Sequence, residues 1–531
     1  MQRAASNPPV PTPPPPGPRL RVGKLCVAVQ AGSVAEMIER AAAAIQDCKP
    51  DAKFIEFRLD SLAKPAVALP KVKEFLAARR DVTAIATCRR KEFGGNFEGA
   101  LTAELDVLLK AAKAGCKIAD LEVESAEEAR PSQLAQWRAR LRAAGAALLI
   151  SYHDFTQTGD MEHAARRIEA FQPEFVKVVS TAQSLVDNLA VLRLIEERSL
   201  SSHVVGMAMG EEGLVSRVLG PRAGAAFTFA SFDDGSGAGV ATAPGQVTAR
   251  TLRDLYRVEQ LDQATRVFGV AGNPIAHSLS PLMQNTAFRR ENVNAVLLPL
   301  KVRALGELLT LARELPLAGT AVTMPLKQEV VPRLANMDPL TARIGACNTL
   351  RTGADGRLYG FNTDVAGVVR PLEKRLKLKG ARIGVVGAGG AARAAVFGLV
   401  DQGAEVFIFN VIHEQAVALA REAKATVLTR EQFAKERFDV LINATPCGME
   451  GNPKPLPIEE DELNAGLVFD MVYNPLETPL LKLAKERGLP TISGMEMFVQ
   501  QGARQFEIWT GKPAPEAEML RVVELELRRR G

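Results

Sequence analysis

Residues 175–180 read Phe-Val-Lys-Val-Val-Ser, an apolar run of β-branched residues that is typical of a buried strand. Lys177 stands inside it. A lysine in a buried strand must either reach a polar partner or lose its proton, because burial disfavours the ammonium form. A neutral amine is a nucleophile that can form a Schiff base with a ketone. The alternative is a lysine near a strand end whose ammonium group extends into solvent.

Seven further runs of the same kind surround this one, at 25–30, 54–60, 82–88, 116–123, 147–153, 204–209 and 227–232. Amphipathic segments lie between them, among them 34–48, 101–115 and 182–198. Eight strands that are each followed by a helix or helical turn predict a closed (β/α)₈ barrel. A doubly wound open sheet is the alternative.

A barrel brings the polar residues of these strands to one place, since active sites lie at the C-terminal ends of barrel strands. Five strands carry polar or sulfur-containing residues there, namely Glu56, Arg58, Arg89, His153, Lys177, Met207 and Met209. Singly, these residues have structural explanations, such as an ion pair between Glu56 and Arg58 or methionines in an ordinary core. Together they predict a pocket with an amine, an imidazole and guanidinium groups that can hold a carboxylate.

Composition limits the class of protein. The chain has 531 residues, 47% of them apolar and 24% charged, which is ordinary for a globular protein of several domains. Its net charge of +5 and the lack of a long basic stretch give no sign of a nucleic-acid partner. Six scattered cysteines without metal-ligand spacing predict reduced thiols, a cytoplasmic location and no metal site. No apolar stretch predicts a membrane span.

The N-terminus is rich in proline, with eight prolines between residues 7 and 18. We expect residues 1–22 to form a disordered lead-in without a core.

A second unit begins near Val267 with Gly269-Val-Ala-Gly-Asn-Pro-Ile-Ala-His-Ser-Leu-Ser-Pro281. This stretch predicts a strand, a turn, and a helix with Ser280 as N-cap. Hydroxyl, amide, amine and carboxylate groups follow in a pattern that suits a polyhydroxylated acid: Ser278, Ser280, Thr323, Lys327, Asn348 and Asp364. Lys327 with Asp364 can protonate the oxygen formed when hydride reaches a ketone. The alternatives are an exposed lysine at a helix start and an aspartate N-cap.

A dinucleotide-binding pattern follows at 382–393, which reads Arg-Ile-Gly-Val-Val-Gly-Ala-Gly-Gly-Ala-Ala-Arg. The turn residues are Gly387, Ala388, Gly389, Gly390 and Ala391. Glycines in such a turn let the backbone approach a pyrophosphate at a helix N-terminus. Strand-like runs at 405–410, 438–445 and 467–473 complete a parallel sheet of the Rossmann type.

The end of the second strand in this unit reads Phe409-Asn410-Val411-Ile412-His413. NAD sites usually place Asp or Glu there, and NADP sites place Arg nearby. This stretch has neither. Asn410 can still hydrogen-bond a ribose, so the residues leave the choice of coenzyme open.

These motifs resemble two enzyme families in succession. Residues 25–250 resemble type I 3-dehydroquinate dehydratase, and residues 266–531 resemble shikimate dehydrogenase, in the order of the bifunctional enzyme typical of plants. The resemblance implies a barrel at 23–258, a substrate domain at 264–376 and a Rossmann domain at 377–490. Helices at 491–531 are expected to return to the substrate domain.

For the barrel, the resemblance implies Lys177 as the Schiff-base residue and His153 as the general acid and base. The implied substrate pocket consists of Glu56, Arg58, Arg89, Met207, Arg217, Thr242 and Gln246, and the last two belong to a loop that closes over substrate. One position departs from the family. Phe93, with Glu92 before it, stands where the family often has glutamate directly before the two glycines.

For the second half, the resemblance implies Lys327 as the catalytic residue and Asp364 as its partner. The implied substrate ligands are Ser278, Ser280, Thr323, Asn348, Tyr473 and Gln501. The implied coenzyme contacts are Gly387, Ala388, Gly389, Gly390, Ala391, Asn410, Thr445 and Gly494. NADP is the implied coenzyme and NAD the alternative, because the Asn-Arg-Thr that usually holds the 2′-phosphate reads Asn-Val-Ile here. His413 or Arg393 would have to substitute for the missing arginine.

We therefore expect an enzyme that converts 3-dehydroquinate to 3-dehydroshikimate and then to shikimate. The alternatives are a quinate dehydrogenase in the second half, a half that only binds ligand, and a class I aldolase that shares the barrel lysine. The sequence does not predict the oligomeric state.

Overall fold

A computed structural model describes residues 20, 22–46, 48, 52–235, 239–315 and 317–530. The expected lead-in at 1–22 therefore lies outside the described residues, apart from Leu20 and Val22. The described chain contains three sheets, of eight, six and six strands.

The first sheet is the predicted barrel. Its strands are β1 (Leu25–Val29), β2 (Phe54–Arg58), β3 (Thr83–Thr87), β4 (Ile118–Glu122), β5 (Ala147–His153), β6 (Phe175–Thr181), β7 (His203–Met209) and β8 (Thr228–Ser231). Each strand from β1 to β7 pairs in parallel with its neighbour, and β8 pairs with β1. The amide of Ala226 donates to the carbonyl of Val204 at 2.8 Å, which links the β7 edge to the segment entering β8. The barrel is confirmed, and the open-sheet alternative is wrong.

Helices surround the barrel between its strands. They are α1 (Val34–Gln46), α2 (Leu69–Ala77), α3 (Leu101–Lys113), α4 (Val123–Glu128), α5 (Pro131–Ala143), α6 (Met161–Glu169), α7 (Asp187–Arg198) and α8 (Leu214–Ala223). Their apolar residues recur at helical spacing; in α1, for example, Met37, Ala41 and Ile45 are buried. Burial of such faces against the strands leaves the strand ends free to form a site.

The inward-facing side chains of the barrel are apolar toward one end and polar toward the other. Alternate strand residues point inward because successive side chains lie on opposite faces of a strand. One buried cluster gathers the apolar inward residues, among them Cys26, Phe54, Ile85, Ile118, Leu149, Phe175, Val205 and Phe227. Arg58, Asp120, Ser151 and Lys177 follow two or four residues later on their strands and are also buried. The polar residues are thus placed toward the C-terminal ends.

The second sheet is mixed and lies in the order β10-β9-β11-β13-β14-β12. Its strands are β9 (Arg266–Gly272), β10 (Ala295–Lys301), β11 (Leu317–Val322), β12 (Asn336–Met337), β13 (Thr349–Thr352) and β14 (Leu358–Phe361). The helices of this unit are α9 (Ser280–Arg290), α10 (Leu305–Glu314), α11 (Leu326–Glu329), α12 (Pro339–Ile344) and α13 (Asp364–Glu373). Because β9, β10 and β11 are parallel, their C-terminal ends share one edge of the sheet.

The start of α9 differs from the prediction. Ser280 is the first helical residue rather than the N-cap, a position that Leu279 occupies. The hydroxyl of Ser278 accepts from the Ser280 amide at 3.3 Å. Ser278 thus supplies the side-chain oxygen that was expected from Ser280.

The third sheet is fully parallel and lies in the order β17-β16-β15-β18-β19-β20. Its strands are β15 (Arg382–Val386), β16 (Glu405–Phe409), β17 (Thr426–Val427), β18 (Val440–Asn443), β19 (Val468–Asp470) and β20 (Thr491–Ile492). The helices are α14 (Gly390–Asp401), α15 (His413–Ala423), α16 (Arg430–Lys435) and α17 (Pro479–Glu486). This is the strand order of a Rossmann fold. Its last strand lies just beyond residue 490, where the sequence places the end of this domain.

Two long helices close the chain, α18 (Gly494–Thr510) and α19 (Glu516–Arg530). Helix α18 packs on α13 and α9, and α19 packs on α9. The indole of Trp509 donates to the carbonyl of Leu350 at 2.9 Å. The C-terminal segment thus returns to the second sheet, which brings α18 beside the candidate substrate residues.

Candidate active sites

A cavity opens where the barrel strands end. It is lined by every barrel residue that the sequence pattern and the family resemblance predict for the pocket: Glu56, Arg58, Arg89, His153, Lys177, Met207, Met209, Arg217, Thr242 and Gln246. Gly94, Phe155, Val179, Phe229 and Ala243 complete the lining. Residues from strands, from α8 and from the loop after β8 therefore meet around one space.

Lys177 projects from β6 and is 4% exposed. Its Nζ lies 2.9 Å from Oδ2 of Asp120 and 4.4 Å from the ring centre of Phe229. Of the two outcomes expected for a buried lysine, a polar partner is therefore the one found. Burial alone would raise the pKa of the Asp120 carboxyl, but the charges of Lys177 and Arg89 outweigh burial and hold that pKa below its ordinary value.

His153 ends β5, and its Nδ1 lies 2.9 Å from Oε1 of Glu122. Burial, together with the nearby charges of Arg89 and Lys177, holds the pKa of this imidazole well below its ordinary value. The ring is then neutral at pH 7. An Nδ1–H that donates to Glu122 leaves Nε2 with a free lone pair, which is the arrangement a general base needs.

Asp120 and Glu122 on β4 are functional candidates that the sequence reading missed. Nε of Arg89 lies 2.9 Å from Oε2 of Glu122, and the Ser151 hydroxyl lies 2.6 Å from Asp120 and 2.8 Å from Glu122. Burial raises the pKa of Glu122 to about 7, although Arg89 opposes the shift. Two acids at alternate positions of an apolar strand are the same kind of signal that drew attention to Lys177.

Glu56 and Arg58 do not pair with each other, so the ion-pair explanation for them is wrong. Arg58 donates to both oxygens of Asp60, at 3.1 and 2.9 Å. Oε1 of Glu56 accepts from the Thr87 hydroxyl at 2.6 Å. Each side chain is thus fixed separately at the cavity wall.

Phe93 stands where the family often has glutamate, but His153 still has a carboxylate beside it. Glu92 pairs with Arg90 at 2.7 Å, and the Arg90 guanidinium lies over the Phe93 ring at 4.8 Å. Neither Glu92 nor Phe93 lines the cavity. The carboxylate beside His153 comes from Glu122 on β4.

Arg217 is a buried cation without a carboxylate partner among the described residues. Its Nε makes no hydrogen bond, and its other nitrogens lie 3.5 Å from the Met207 sulfur and 3.4 Å from the Pro244 carbonyl oxygen. Burial lowers its pKa to about 10, so it remains charged at pH 7. A buried unpaired charge is costly, and an anionic ligand in the cavity would neutralise it.

The second site lies at the shared edge of β9 and β11. Nζ of Lys327, on α11, lies 2.7 Å from Oδ2 of Asp364, the first residue of α13. The Asn348 amide donates to Oδ1 of the same carboxylate at 2.8 Å. The Asn348 oxygen accepts from the Thr363 amide at 2.8 Å, so this side chain is engaged on both sides.

The remaining substrate candidates follow strands of the second sheet or lie near helix α18. Ser278 follows β9, and Thr323 follows β11, where its amide donates to Ala271 at 2.9 Å. Gln501 lies on α18 and donates to the Phe498 carbonyl at 2.8 Å. The Tyr473 ring stacks on Phe498 with centres 5.3 Å apart, and burial raises the pKa of its hydroxyl.

The glycine turn after β15 has the form that a pyrophosphate needs. Gly387 has φ +119°, and a Cβ there would lie 3.0 Å from the Ala444 carbonyl oxygen. A Cβ at Gly389 or Gly390 would meet nothing within 4 Å, so the N-terminus of α14 is open. The turn lies between β15 and β18, where the strand order reverses and open α/β sheets bind ligands. At the end of β18, the Thr445 hydroxyl donates to Asn443 at 2.7 Å.

The segment that the sequence predicts to select the coenzyme, residues 409–413, contains no lysine or arginine. The Asn410 amide donates to the Ile412 carbonyl at 3.0 Å, and Val411 is 78% exposed. Arg393 donates to the Ile344 carbonyl at 3.0 and 2.9 Å and pairs with Glu422 at 2.7 Å. Arg393 is thus held within the protein rather than directed at a phosphate, and His413 is the first residue of α15.

Three family models match the chain. They are type I 3-dehydroquinase over residues 25–263, the shikimate dehydrogenase substrate binding domain over 270–350, and the shikimate 5′-dehydrogenase C-terminal domain over 494–524.

Individual proteins are similar as well. A bifunctional 3-dehydroquinate dehydratase/shikimate dehydrogenase, chloroplastic, of Arabidopsis thaliana is 34% identical over 92% of this chain and 82% of its own length. A shikimate dehydrogenase (NADP(+)) of Methanosarcina acetivorans is 42% identical over 49% of this chain and 98% of its own. The solved dehydroquinate dehydratase and shikimate dehydrogenase of S. pombe AroM is 23% identical, with 95% of this chain and 98% of that chain covered and a TM-score of 0.44.

Proposed function

Because the chain belongs to the family of bifunctional 3-dehydroquinate dehydratase/shikimate dehydrogenases, we propose that the two sites described above carry out its two consecutive reactions. The first half is the type I 3-dehydroquinase, a lyase, and the second half is the NADP-dependent shikimate dehydrogenase, an oxidoreductase. The observation that carries the assignment of residues is the presence of Lys177 and His153 in one cavity.

In the barrel, Lys177 condenses with the ketone of 3-dehydroquinate to form an iminium ion. The iminium acidifies the neighbouring C–H, and His153 removes that proton and assists loss of the hydroxyl group as water. Hydrolysis of the Schiff base then releases 3-dehydroshikimate. Arg217 neutralises the substrate carboxylate, with Glu56, Arg58, Arg89, Met207, Thr242 and Gln246 as the other substrate contacts.

Borohydride trapping tests this mechanism. Sodium borohydride added with 3-dehydroquinate should reduce the Schiff base and leave a covalent adduct on the peptide that contains Lys177. Lys177→Ala should abolish both the adduct and dehydration. A wild-type protein that dehydrates the substrate without forming an adduct at Lys177 would contradict the mechanism.

In the second half, bound NADPH supplies the hydride that reduces the ketone of 3-dehydroshikimate. Lys327 donates a proton to the resulting oxygen, and Asp364 holds Lys327 in place at 2.7 Å. Asn348 fixes the Asp364 carboxylate. Hydroxyl and amide groups for the substrate come from Ser278, Ser280, Thr323, Tyr473 and Gln501.

For the coenzyme, the open N-terminus of α14 fits a pyrophosphate, with Gly387, Ala388, Gly389, Gly390 and Ala391 in the turn and Asn410, Thr445 and Gly494 as further contacts. The stretch 409–413 holds no lysine or arginine for a 2′-phosphate, and Arg393 is engaged with Ile344 and Glu422, so NADH is proposed as a second coenzyme. Titrating NADPH against NADH in the reduction step tests this. A preference for NADPH of more than roughly 100-fold, the upper value of one charge-assisted hydrogen bond, would contradict it. Comparing the kinetics with shikimate and with quinate as substrate distinguishes a shikimate dehydrogenase from the alternative, a quinate dehydrogenase.

The remaining expectations are also proposals. The domains are the barrel at 23–258, the substrate domain at 264–376, the Rossmann domain at 377–490 with β20 added, and the C-terminal helices at 491–531. The partners are small molecules, without nucleic acid, and the location is the cytoplasm, which cell fractionation would test. Among the described segments, no helix combines the length and apolar character that crossing a membrane requires.

A further inference from the structure

One lysine of the second half, Lys301, joins the two halves beside the barrel cavity. Lys301 ends β10 and lies opposite Gly272, the last residue of β9. Its Nζ lies 2.6 Å from Oε2 of Glu211 and 3.6 Å from Oε1 of Glu212, both on the barrel. Arg303 lies 3.4 Å from Glu212. We call these four charged residues the inter-half cluster.

On the barrel side, the cluster is attached to Gly210, the residue directly after β7. Glu211 directly follows Gly210, whose amide donates to the Pro244 carbonyl at 3.1 Å. Pro244 lies between Thr242 and Gln246, which line the cavity. A Cβ at Gly245 would lie 2.0 Å from the Gly210 carbonyl oxygen, so the two backbones are in direct contact. The Thr242–Gln246 segment therefore rests on Gly210.

The turn at Glu211 and Glu212 is held from both sides. Within the barrel, the Asn188 amide donates to the Glu212 carbonyl at 2.8 Å. From the second half, Lys301 and Arg303 hold the two carboxylates. Without the ion pairs to Lys301 and Arg303, only contacts within the barrel would fix the turn. The Thr242–Gln246 segment, which packs on Gly210, would then be less well supported.

We propose that Lys301 is a positioning residue for the dehydratase, although it belongs to the dehydrogenase half. By holding Glu211 and Glu212 it fixes Gly210, and through Gly210 it places Thr242 and Gln246 against bound substrate. This inference rests on the proposed function of the barrel. In this proposal, a residue of the second half of the chain contributes to the reaction of the first half.

Lys301→Ala should raise KM for dehydration about threefold to fivefold and leave kcat unchanged. The size follows from exposure, since partly exposed ion pairs change an equilibrium by roughly fivefold at most, and Glu211 is 59% exposed. The unchanged kcat follows because Lys177 and His153 are not in contact with the cluster. Lys301→Arg should restore KM. Raising the ionic strength should remove the difference between wild type and Lys301→Ala, because salt screens exposed charges.

Arg193→Ala is the matched control. Arg193 on α7 pairs with Glu314 on α10, so it also joins the two halves, but it has no link to Gly210. It should leave KM for dehydration unchanged. All variants are full-length chains, assayed for both reactions at low ionic strength.

Three results would overturn the proposal: an unchanged KM in Lys301→Ala, an equal rise in Arg193→Ala, or a loss of kcat in both reactions, which would assign Lys301 to folding. A wild-type chain without dehydratase activity would instead refute the proposed function itself.

Discussion

Glu122 determines which nitrogen of His153 is free to accept a proton. As a carboxylate it accepts Nδ1–H and leaves Nε2 unprotonated. Glu122→Gln presents an amide that can donate to Nδ1, which moves the ring proton to Nε2. We expect kcat for dehydration to fall about 100-fold, within the range of about 10² to 10⁴ that a positioned base contributes. Steady-state kinetics at pH 8 measures this.

The control is Glu92→Gln, which neutralises an exposed carboxylate that pairs with Arg90 outside the cavity. It should keep the wild-type kcat. Full activity in Glu122→Gln would mean that His153 is oriented by other groups.

The same carboxylate sets the expected pH dependence. Since the His153 pKa is already well below its ordinary value, histidine protonation does not limit the rate near neutrality. Burial raises the pKa of Glu122 to about 7, so lowering the pH through 7 protonates it and removes the negative charge that favours Nδ1–H and stabilises a protonated His153. The rate of dehydration should therefore fall as the pH drops below about 7. A pH–rate profile of Glu122→Gln should lack this decline, and its persistence there would assign it to another group.

Val411 stands where the family resemblance leads us to expect the arginine that holds a 2′-phosphate. Val411→Arg places a guanidinium at the end of β16, where it can pair with a 2′-phosphate. A charge-assisted hydrogen bond contributes about 1.5–3 kcal/mol, so NADPH should bind roughly 10- to 100-fold more tightly. NADH affinity should not change. Fluorescence titration gives both dissociation constants without turnover.

Val417→Arg is the control, because it adds the same charge at another exposed valine, on α15. A gain for NADPH in this variant, or an equal gain for NADH in Val411→Arg, would show a general charge effect instead of a phosphate contact.

Among the elements, the turn between β15 and α14 is the most sensitive to a single methyl group. Gly387→Ala puts a Cβ on a backbone with φ +119° and within 3.1 Å of the Thr445 methyl carbon. We expect a loss of about 1–3 kcal/mol in stability, the usual cost of such a conformation, together with weaker NADPH binding. Calorimetric unfolding and fluorescence titration measure the two effects.

Gly389→Ala separates the effect on stability from the effect on NADPH binding. Gly389 has φ −76° and its Cβ would meet nothing within 4 Å, so stability should hold while the methyl group occupies space meant for the pyrophosphate. A melting temperature that stays unchanged in Gly387→Ala would contradict the strain.

Some elements were predictable from the sequence, and others were not. The barrel strands were predictable because each is a short, largely apolar run between amphipathic segments, a local pattern. The two-residue strands β17 and β20 are too short to leave such a pattern. The N-cap at α9 was misassigned because a serine directly before a proline is typical of a cap, whereas the backbone geometry gives that position to Leu279.

Partners across the barrel were less predictable than positions along it. The sequence placed Lys177 within a strand of the barrel, but its contact with Asp120 spans 57 residues. Such pairs depend on strand register, which composition does not reveal. The contacts of Arg393 were unpredictable for the same reason, since its partners Ile344 and Glu422 belong to separate elements.

At the scale of the whole molecule, the two proposed sites have no residue in common, since Lys177 and His153 belong to the barrel and Lys327 and Asp364 to the unit of the second sheet. Lys327→Ala should abolish reduction of 3-dehydroshikimate and leave dehydration at the wild-type rate, because Lys327 lies in the second sheet's unit and Lys177 in the barrel. Separate assays of the two steps measure this, with Lys177→Ala as the reciprocal variant. If both activities fell together in either variant, the sites would not be independent.

The solitary guanidinium of Arg217 also bears on how this molecule should be handled. A cavity that holds one unmatched positive charge does not discriminate strictly among small anions. Sulfate or phosphate from a buffer would compete with the substrate for this position, and apparent affinities would then depend on the choice of salt. Buffers that are poor in chloride and free of sulfate, phosphate and carboxylates are therefore the right medium for the kinetics of the first reaction.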